Sequence, residues 1–333
     1  MAKIIDVHNH LYPREYLDYL VKRKDFPNME KVNPTTWVFS SQSVVIAKVF
    51  RAGHYDPKAR IEDMDKNGID VQMISSTMPG IELLPVDEGV RWAKRMNDYF
   101  AEVCQTYPGR FFMYATLPLQ NVGESLKELD RAYHKLRAKG LMIFSTINGN
   151  PLSSPEYYPI YALAEEYNLP ILVHPGIPSL LEACRKHKIP PGIYGYTTDT
   201  TLAIVSLIWH GVLEKYPKLK IIHSHLGGIF PYLVERMEIS WKLFGKESGF
   251  KLEMSPTEYY QRQVYADTMS GYLPAARCCL ELMGAKHLVL GTDYAHGNGN
   301  IEEAVAFVKS MGLSHEDTTD ILGGNAVRLF NLK

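Results

Sequence analysis

The chain is short of cysteine, of net charge and of long apolar runs, and each shortage removes a class of protein. Four cysteines, Cys104, Cys184, Cys278 and Cys279, stand among 333 residues. None belongs to a C-x-x-C pair, and the adjacent Cys278 and Cys279 are poorly placed to bridge each other. No disulfide framework is expected, and a reducing, cytoplasmic setting follows. Lysine plus arginine number 36 against 37 aspartates plus glutamates, a formal charge of −1. That leaves no basic excess to grip nucleic acid. No apolar stretch reaches the roughly 20 residues that span a bilayer, so no membrane contact is expected. The N-terminus enters Ile4-Ile5-Asp6-Val7-His8 without the layout of a signal peptide. No repeat, low-complexity tract or linker marks a boundary, so residues 1–333 are expected to form one domain.

What is present is a rhythm. A buried strand is predicted over residues 4–8 and a helix over Glu15–Lys24. Residues 26–55 break the pattern, with Pro27, Pro34 and a β-like piece at Trp37-Val38-Phe39, and read as an insertion folding over the mouth of a site. Asp56 and Pro57 then carry the chemistry of a helix start, and Gly68 that of a helix end. From there strands predicted at 71–75, 111–117, 141–145, 171–174, 220–225, 264–268 and 287–293 alternate with helices. These are continuous apolar runs, as strands buried on both faces require. The α/β fold class they specify is a (β/α)8 TIM barrel, with the insertion after strand one and extra helices from Ile301 onward.

In such a barrel the chemistry gathers at the carboxyl ends of the strands. Strand one delivers His8 and His10, which alternation places on one face. Strand five ends in His174, strand six in His223 and His225, and strand eight in Asp293. Four strands delivering imidazole or carboxylate to one end define a candidate metal centre, and such donors suit Zn²⁺, with Mn²⁺ or Fe²⁺ as alternatives. His223 and His225 share a face, so either could point inward; His225 stands nearer the mouth and His223 one pleat deeper. His296 is a candidate for the site wall. His54, His134, His187, His210, His287 and His315 lack strand-end placement and read as surface, loop or helix residues. The fourth strand ends Ile143-Phe144-Ser145 with no lysine or glutamate to bridge two ions, so one metal is expected and no organic cofactor.

Segments along nearly the whole chain resemble the amidohydrolase superfamily. More narrowly, they resemble the branch of 2-amino-3-carboxymuconate-6-semialdehyde decarboxylase and γ-resorcylate decarboxylase. They are Asp6-Val7-His8-Asn9-His10, residues 60–72 from Arg60 to Gln72, Arg95-Met96-Asn97-Asp98 and Leu117-Pro118-Leu119-Gln120. Further on come residues 170–175 from Pro170 to Pro175, Ser224-His225-Leu226-Gly227-Gly228, Gly291-Thr292-Asp293-Tyr294 and Gly324-Asn325-Ala326. The resemblance implies metal ligation by His8, His10, His174 and Asp293, with His225 as a free acid–base residue. It implies that Arg236 grips a substrate carboxylate in the neighbouring subunit of a homodimer. It also implies a second substrate-binding arginine in the insertion, where Arg51 is nearest and Lys48 competes. The expected reaction is decarboxylation of a small carboxylated aromatic or unsaturated acid. Hydrolysis of an amide, lactone or C–C ketone bond is the alternative, with Asp293 or His225 taking the proton. Relatives often continue Tyr-Pro after the strand-eight aspartate. Here Ala295-His296-Gly297-Asn298-Gly299-Asn300 follows Tyr294, a loop of different shape.

Overall fold

Eight apolar runs become eight parallel strands: β1 (Ile5–His10), β2 (Val71–Ser75), β3 (Phe111–Ala115), β4 (Gly140–Phe144), β5 (Ile171–His174), β6 (Ile221–His223), β7 (Val264–Asp267) and β8 (Leu288–Val289). The computed structural model describes residues 2–269 and 271–332, with only the backbone of Ser248. Each strand pairs with the next in chain order. The sheet closes on itself between β8 and β1. There Val7 N donates to Leu290 O at 2.8 Å, Asp293 N to His8 O at 2.8 Å, and Asn9 bridges Tyr294 in parallel. This is the (β/α)8 barrel that the runs predict.

The helices bury one face against the barrel. They are α1 (Arg14–Lys22), α2 (Pro57–Asn67), α3 (Val86–Thr106), α4 (Val122–His134), α5 (Tyr158–Glu166), α6 (Gly195–Trp209), α7 (Phe230–Phe244) and α8 (Leu273–Met283). The start of α2 follows its sequence. Asp56 accepts the amides of Lys58 at 2.9 Å and Ala59 at 3.4 Å, and Gly68 closes the helix in the left-handed region at φ 72°. Further helices from Ala304 onward cover the end of the chain. No helix among the described residues is long and apolar enough to cross a membrane. All four cysteines are free.

Three expectations about local structure change. The strand predicted to reach His225 stops at His223, because His225 and Leu226 take left-handed φ values of 58° and 53°. The helix that the alternation places just ahead of β6 breaks at Gly211, whose φ of 69° a β-carbon would oppose. The insertion is more ordered than its composition suggests. It is a three-stranded antiparallel sheet, Glu30–Asn33, Thr36–Ser41 and Val44–Val49. Trp37, Phe39 and Val49 are buried under it. The Tyr196 hydroxyl donates to Ile46 O at 2.8 Å, tying the sheet to the first turn of α6 at the barrel mouth.

Candidate metal centre

β1 stays extended through both of its histidines, so their rings enter the barrel side by side, 5.1 Å apart between centroids. β5 brings His174, whose ring lies 4.5 Å from that of His10. The chain leaving β8 brings Asp293. One donor atom from each of His8, His10, His174 and Asp293 lies within 4.8 Å of all the others, and all four residues are buried. His10 Nε2 is 3.0 Å from Asp293 Oδ1, His8 Nε2 3.3 Å and His174 Nε2 3.9 Å.

The hydrogen bonds at the far side of each ring decide which nitrogen faces this centre. His8 Nδ1 meets Asp267 Oδ2 at 2.7 Å, His10 Nδ1 meets Ser76 O at 3.1 Å, and His174 Nδ1 meets Pro175 O at 3.0 Å. A carboxylate and two carbonyls only accept, so each Nδ1 carries the proton and each Nε2 turns a lone pair inward. His8 Nε2 and His174 Nε2 are buried with no hydrogen-bond partner. Buried polar atoms are rarely left so. Three inward lone pairs and one carboxylate are a donor set that a divalent cation completes.

Ionisation agrees. Burial, reinforced by the neighbouring imidazole charge, holds His10 well below its ordinary pKa. Burial likewise brings His174 down to about 4. Both rings are neutral at pH 7, as ligands must be. For His8, burial pulls down but the charge and hydrogen bond of Asp267, joined by those of Asp293, outweigh it and raise the ring to about 10, so without a cation this ring is protonated and a bound cation would displace the Nε2 proton. Burial would raise Asp293, yet its contacts with His10, His174 and His225 hold it well below the usual carboxylate range. Two buried carboxylates therefore stand in one site, and a bound cation would balance their charge.

His225 stands apart from the four. Its Nε2 lies 3.7 Å from Asp293 Oδ2, its Nδ1 has no partner, and its side chain is 14% exposed to the cavity. That cavity, about 820 Å³, opens over the centre. Val45, Ile46 and Lys48 of the insertion line it, with Tyr196, Ile229 and His296. His296 places Nε2 3.2 Å from Thr77 Oγ1 and its ring 4.9 Å from that of His10. Arg51 is elsewhere: its Nη1 pairs with Glu302 Oε1 at 2.9 Å, and it is not among the lining residues. Arg236 is exposed on α7 and does not line its own chain's cavity. His223 is fully buried between Tyr260 and Thr200. His54 is also fully buried, within 5.1 Å of the His296 ring, although nothing in its sequence setting marks it for the interior.

Two residues that hold the site were passed over in the sequence. Arg60 is fully buried and donates to Asn9 Oδ1 and Gln72 Oε1, each at 2.9 Å, and to His10 O, so it pins the end of β1. Only its place in the 60–72 segment pointed to it. Asp267 closes the apolar run 264–267, the same strand-end signal that singled out His174 and Asp293.

A barrel whose mouth carries two histidines from strand one, a third from strand five and an aspartate after strand eight is a metal-centre barrel by its donors alone. The sequence pattern of the family described as amidohydrolase matches residues 5–332, so the chain belongs to that family. Among curated relatives it is 29% identical to the 2-amino-3-carboxymuconate-6-semialdehyde decarboxylase of Dictyostelium discoideum, over 98% of this chain and 91% of that one. Among solved structures it matches 5-carboxyvanillate decarboxylase from Sphingomonas paucimobilis with a TM-score of 0.88 at 24% identity, each chain covered in full (100%). It also matches the dihydroxybenzoic acid decarboxylase of Polaromonas sp. JS666, a structure with bound manganese. There the TM-score is 0.80 at 22% identity, over 100% of this chain and 98% of that one. The structural likenesses carry the fold.

Proposed function

We propose that this chain is a metal-dependent carboxy-lyase that releases carbon dioxide from a small carboxylated aromatic or conjugated unsaturated acid, without an organic cofactor. The observation that carries the proposal is the inward convergence of three Nε2 atoms on Asp293, two of them without a hydrogen-bond partner, with a further imidazole, His225, beside them on the cavity wall. His8, His10, His174 and Asp293 would hold one cation, Zn²⁺ foremost, with Mn²⁺ or Fe²⁺ accepted by the same donors. A divalent cation there supplies positive charge that stabilises negative charge developing on a substrate oxygen.

The chain's own groups do the rest. His225 Nε2 faces the cavity and delivers a proton to the substrate carbon that bears the carboxylate. The bond to the carboxylate then breaks, its electron pair restores the conjugated system, and carbon dioxide leaves. Asp293 Oδ2 lies 3.7 Å from that nitrogen. Lys48 lines the cavity and offers the charge that pairs with a substrate carboxylate. That placement favours it over Arg51, which Glu302 already engages. Ile46, Tyr196 and Ile229 give the cavity an apolar wall, and a substrate seated against them would displace water, which strengthens these contacts. His296 contributes a further polar contact from the wall.

Arg236 enters through a second subunit. α7 exposes Tyr232, Ile239, Leu243 and Phe244 beside it, an apolar face that continues from the cavity rim at Tyr232. A homodimer formed on this face would cover those side chains and carry Arg236 toward the partner's cavity. The four free cysteines fit a cytoplasmic location.

The test is to strip the protein with a chelator, reload it with Zn²⁺ or Mn²⁺, and supply a panel of hydroxybenzoic and unsaturated acids. One bicarbonate per acid consumed, lost on stripping, is expected. Two fragments without bicarbonate would instead establish hydrolysis. Replacing Lys48 by Met is expected to raise KM about tenfold or more, as losing a charge-assisted contact does, while Arg51→Met leaves KM near that of the native enzyme.

A further inference from the structure

Asp267 is wholly buried at the end of β7, behind the centre and outside the cavity wall. Its two oxygens face two different parts of the site. Oδ2 accepts from His8 Nδ1 at 2.7 Å. Oδ1 accepts the amides of His225 at 3.0 Å, Leu226 at 3.4 Å and Met269 at 2.9 Å. Two of those amides belong to the consecutive left-handed residues on which the His225 ring stands. Left-handed conformations in residues with a β-carbon cost free energy and persist only where the surroundings impose them. The chain also makes room for this carboxylate. A β-carbon on Gly291 would come within 2.7 Å of Asp267 Cβ and 3.0 Å of His8 Cβ.

We infer that Asp267 is the positioning residue of the centre, one carboxylate that sets the His8 ring toward the metal and clamps the turn that aims His225. This rests on the reading of His8 as ligand and His225 as proton donor. One oxygen fixes the His8 proton on Nδ1, leaving Nε2 to bind. The other replaces the hydrogen bonds that a continued strand would have given the backbone at 225 and 226. Metal capture and proton delivery are thereby referred to a single rigid group. Asp267 does not touch the cavity, so it shapes kcat and metal affinity and leaves KM alone.

The two halves separate chemically. In Asp267→Asn the remaining carbonyl still accepts the three amides, but the new NH₂ donates toward His8 Nδ1 and drives that ring's proton onto Nε2. In Asp267→Ala both functions go. Apoprotein is titrated with Mn²⁺ and free Mn²⁺ is read by electron paramagnetic resonance; kcat and KM are then measured at saturating Mn²⁺. Both variants are expected to bind Mn²⁺ about 10–100-fold more weakly, the usual cost of losing a ligand's outer hydrogen-bond partner. Asp267→Asn should keep most of its kcat at saturating Mn²⁺. Asp267→Ala should lose at least about tenfold in kcat, because small misplacements of a reacting group are costly, with KM unchanged. If the alanine variant does not fold, Asp267→Glu, which displaces the carboxylate, takes its place with the same expectation. Native Mn²⁺ affinity in Asp267→Asn, or native kcat in the displaced variant, overturns the inference. So does a lowered melting temperature with both constants native. Native apoprotein that takes up no Mn²⁺ would instead sink the metal reading itself.

Discussion

The chain contains two His-x-His pairs at strand ends, 8/10 and 223/225, and they meet opposite fates. β1 remains extended through His10 and, although its register against β2 shifts between Asp6 and Asn9, both rings face the centre. β6 ends at His223 and the next turn is left-handed, so the period no longer applies. His223 is sealed between Tyr260 and Thr200, while His225 swings out to the cavity floor. The same local sequence thus yields two rings of the candidate donor set in one place, and in the other a sealed imidazole plus the one proposed as the acid–base residue. What differs is the backbone after the first histidine, and the backbone is set from outside the pair: by Arg60 and Ser75 for the first, by Asp267 for the second.

The largest effect that tests this difference is expected within the first pair. His10→Ala removes one of three inward lone pairs, so Mn²⁺ affinity should fall at least about 100-fold, the upper end of the cost of disturbing a ligand's support. Turnover should fall with it. An apoprotein titration that finds native affinity would mean that the 8/10 pair is no more a ligand pair than 223/225. Next comes His225→Asn. Here kcat should drop about 10²–10⁴-fold, the range for a lost general acid, while Mn²⁺ affinity stays native. Weakened metal binding in that variant would erase the distinction between the pairs.

Much of this was legible in the sequence. Continuous apolar runs marked eight strands, and strand-end polarity marked His8, His10, His174 and Asp293, because burial on both faces leaves a strand few reasons to end in imidazole or carboxylate. Spacing alone left His223 and His225 as alternatives with His225 nearer the mouth, and the resemblance decided between them, since periodicity cannot see where a strand gives way to a left-handed turn. Asp267 carried the same strand-end signal but lies in none of the segments that carry the family resemblance. Arg60 and His54 were illegible for another reason. Both sit on helical segments at the mouth, and their burial is decided by the insertion and the loop after β8 packing over them, a contact between parts far apart in the chain. Lys48 against Arg51 is the same lesson at short range. The strand Val44–Val49 carries Lys48 along the cavity, whereas Arg51 lies past its end, where Glu302 holds the arginine outside.

The smallest expected effect concerns the sealed member of the second pair, and it changes with pH. Burial pushes the His223 ring down to about 3, so it is neutral throughout the working range of the fold. In the unfolded chain the same ring titrates near 6.5. Below that value the unfolded state binds a proton the native state refuses, so the contribution of His223 to stability falls as pH falls from about 6.5 toward 3. His223→Gln deletes this titration and leaves Tyr260 and Thr200 imperfectly paired. At pH 7.5 the variant should be less stable by about 1–3 kcal/mol, the cost of unsatisfied buried polar groups. At pH 5.0 the native chain has given up about 2 kcal/mol that the variant never had, so urea melts of the metal-free proteins should find the gap nearly closed or reversed. A gap of equal size at both pH values would mean that His223 is protonated or accessible in the native state, and the two members of the pair would then differ far less than their surroundings indicate.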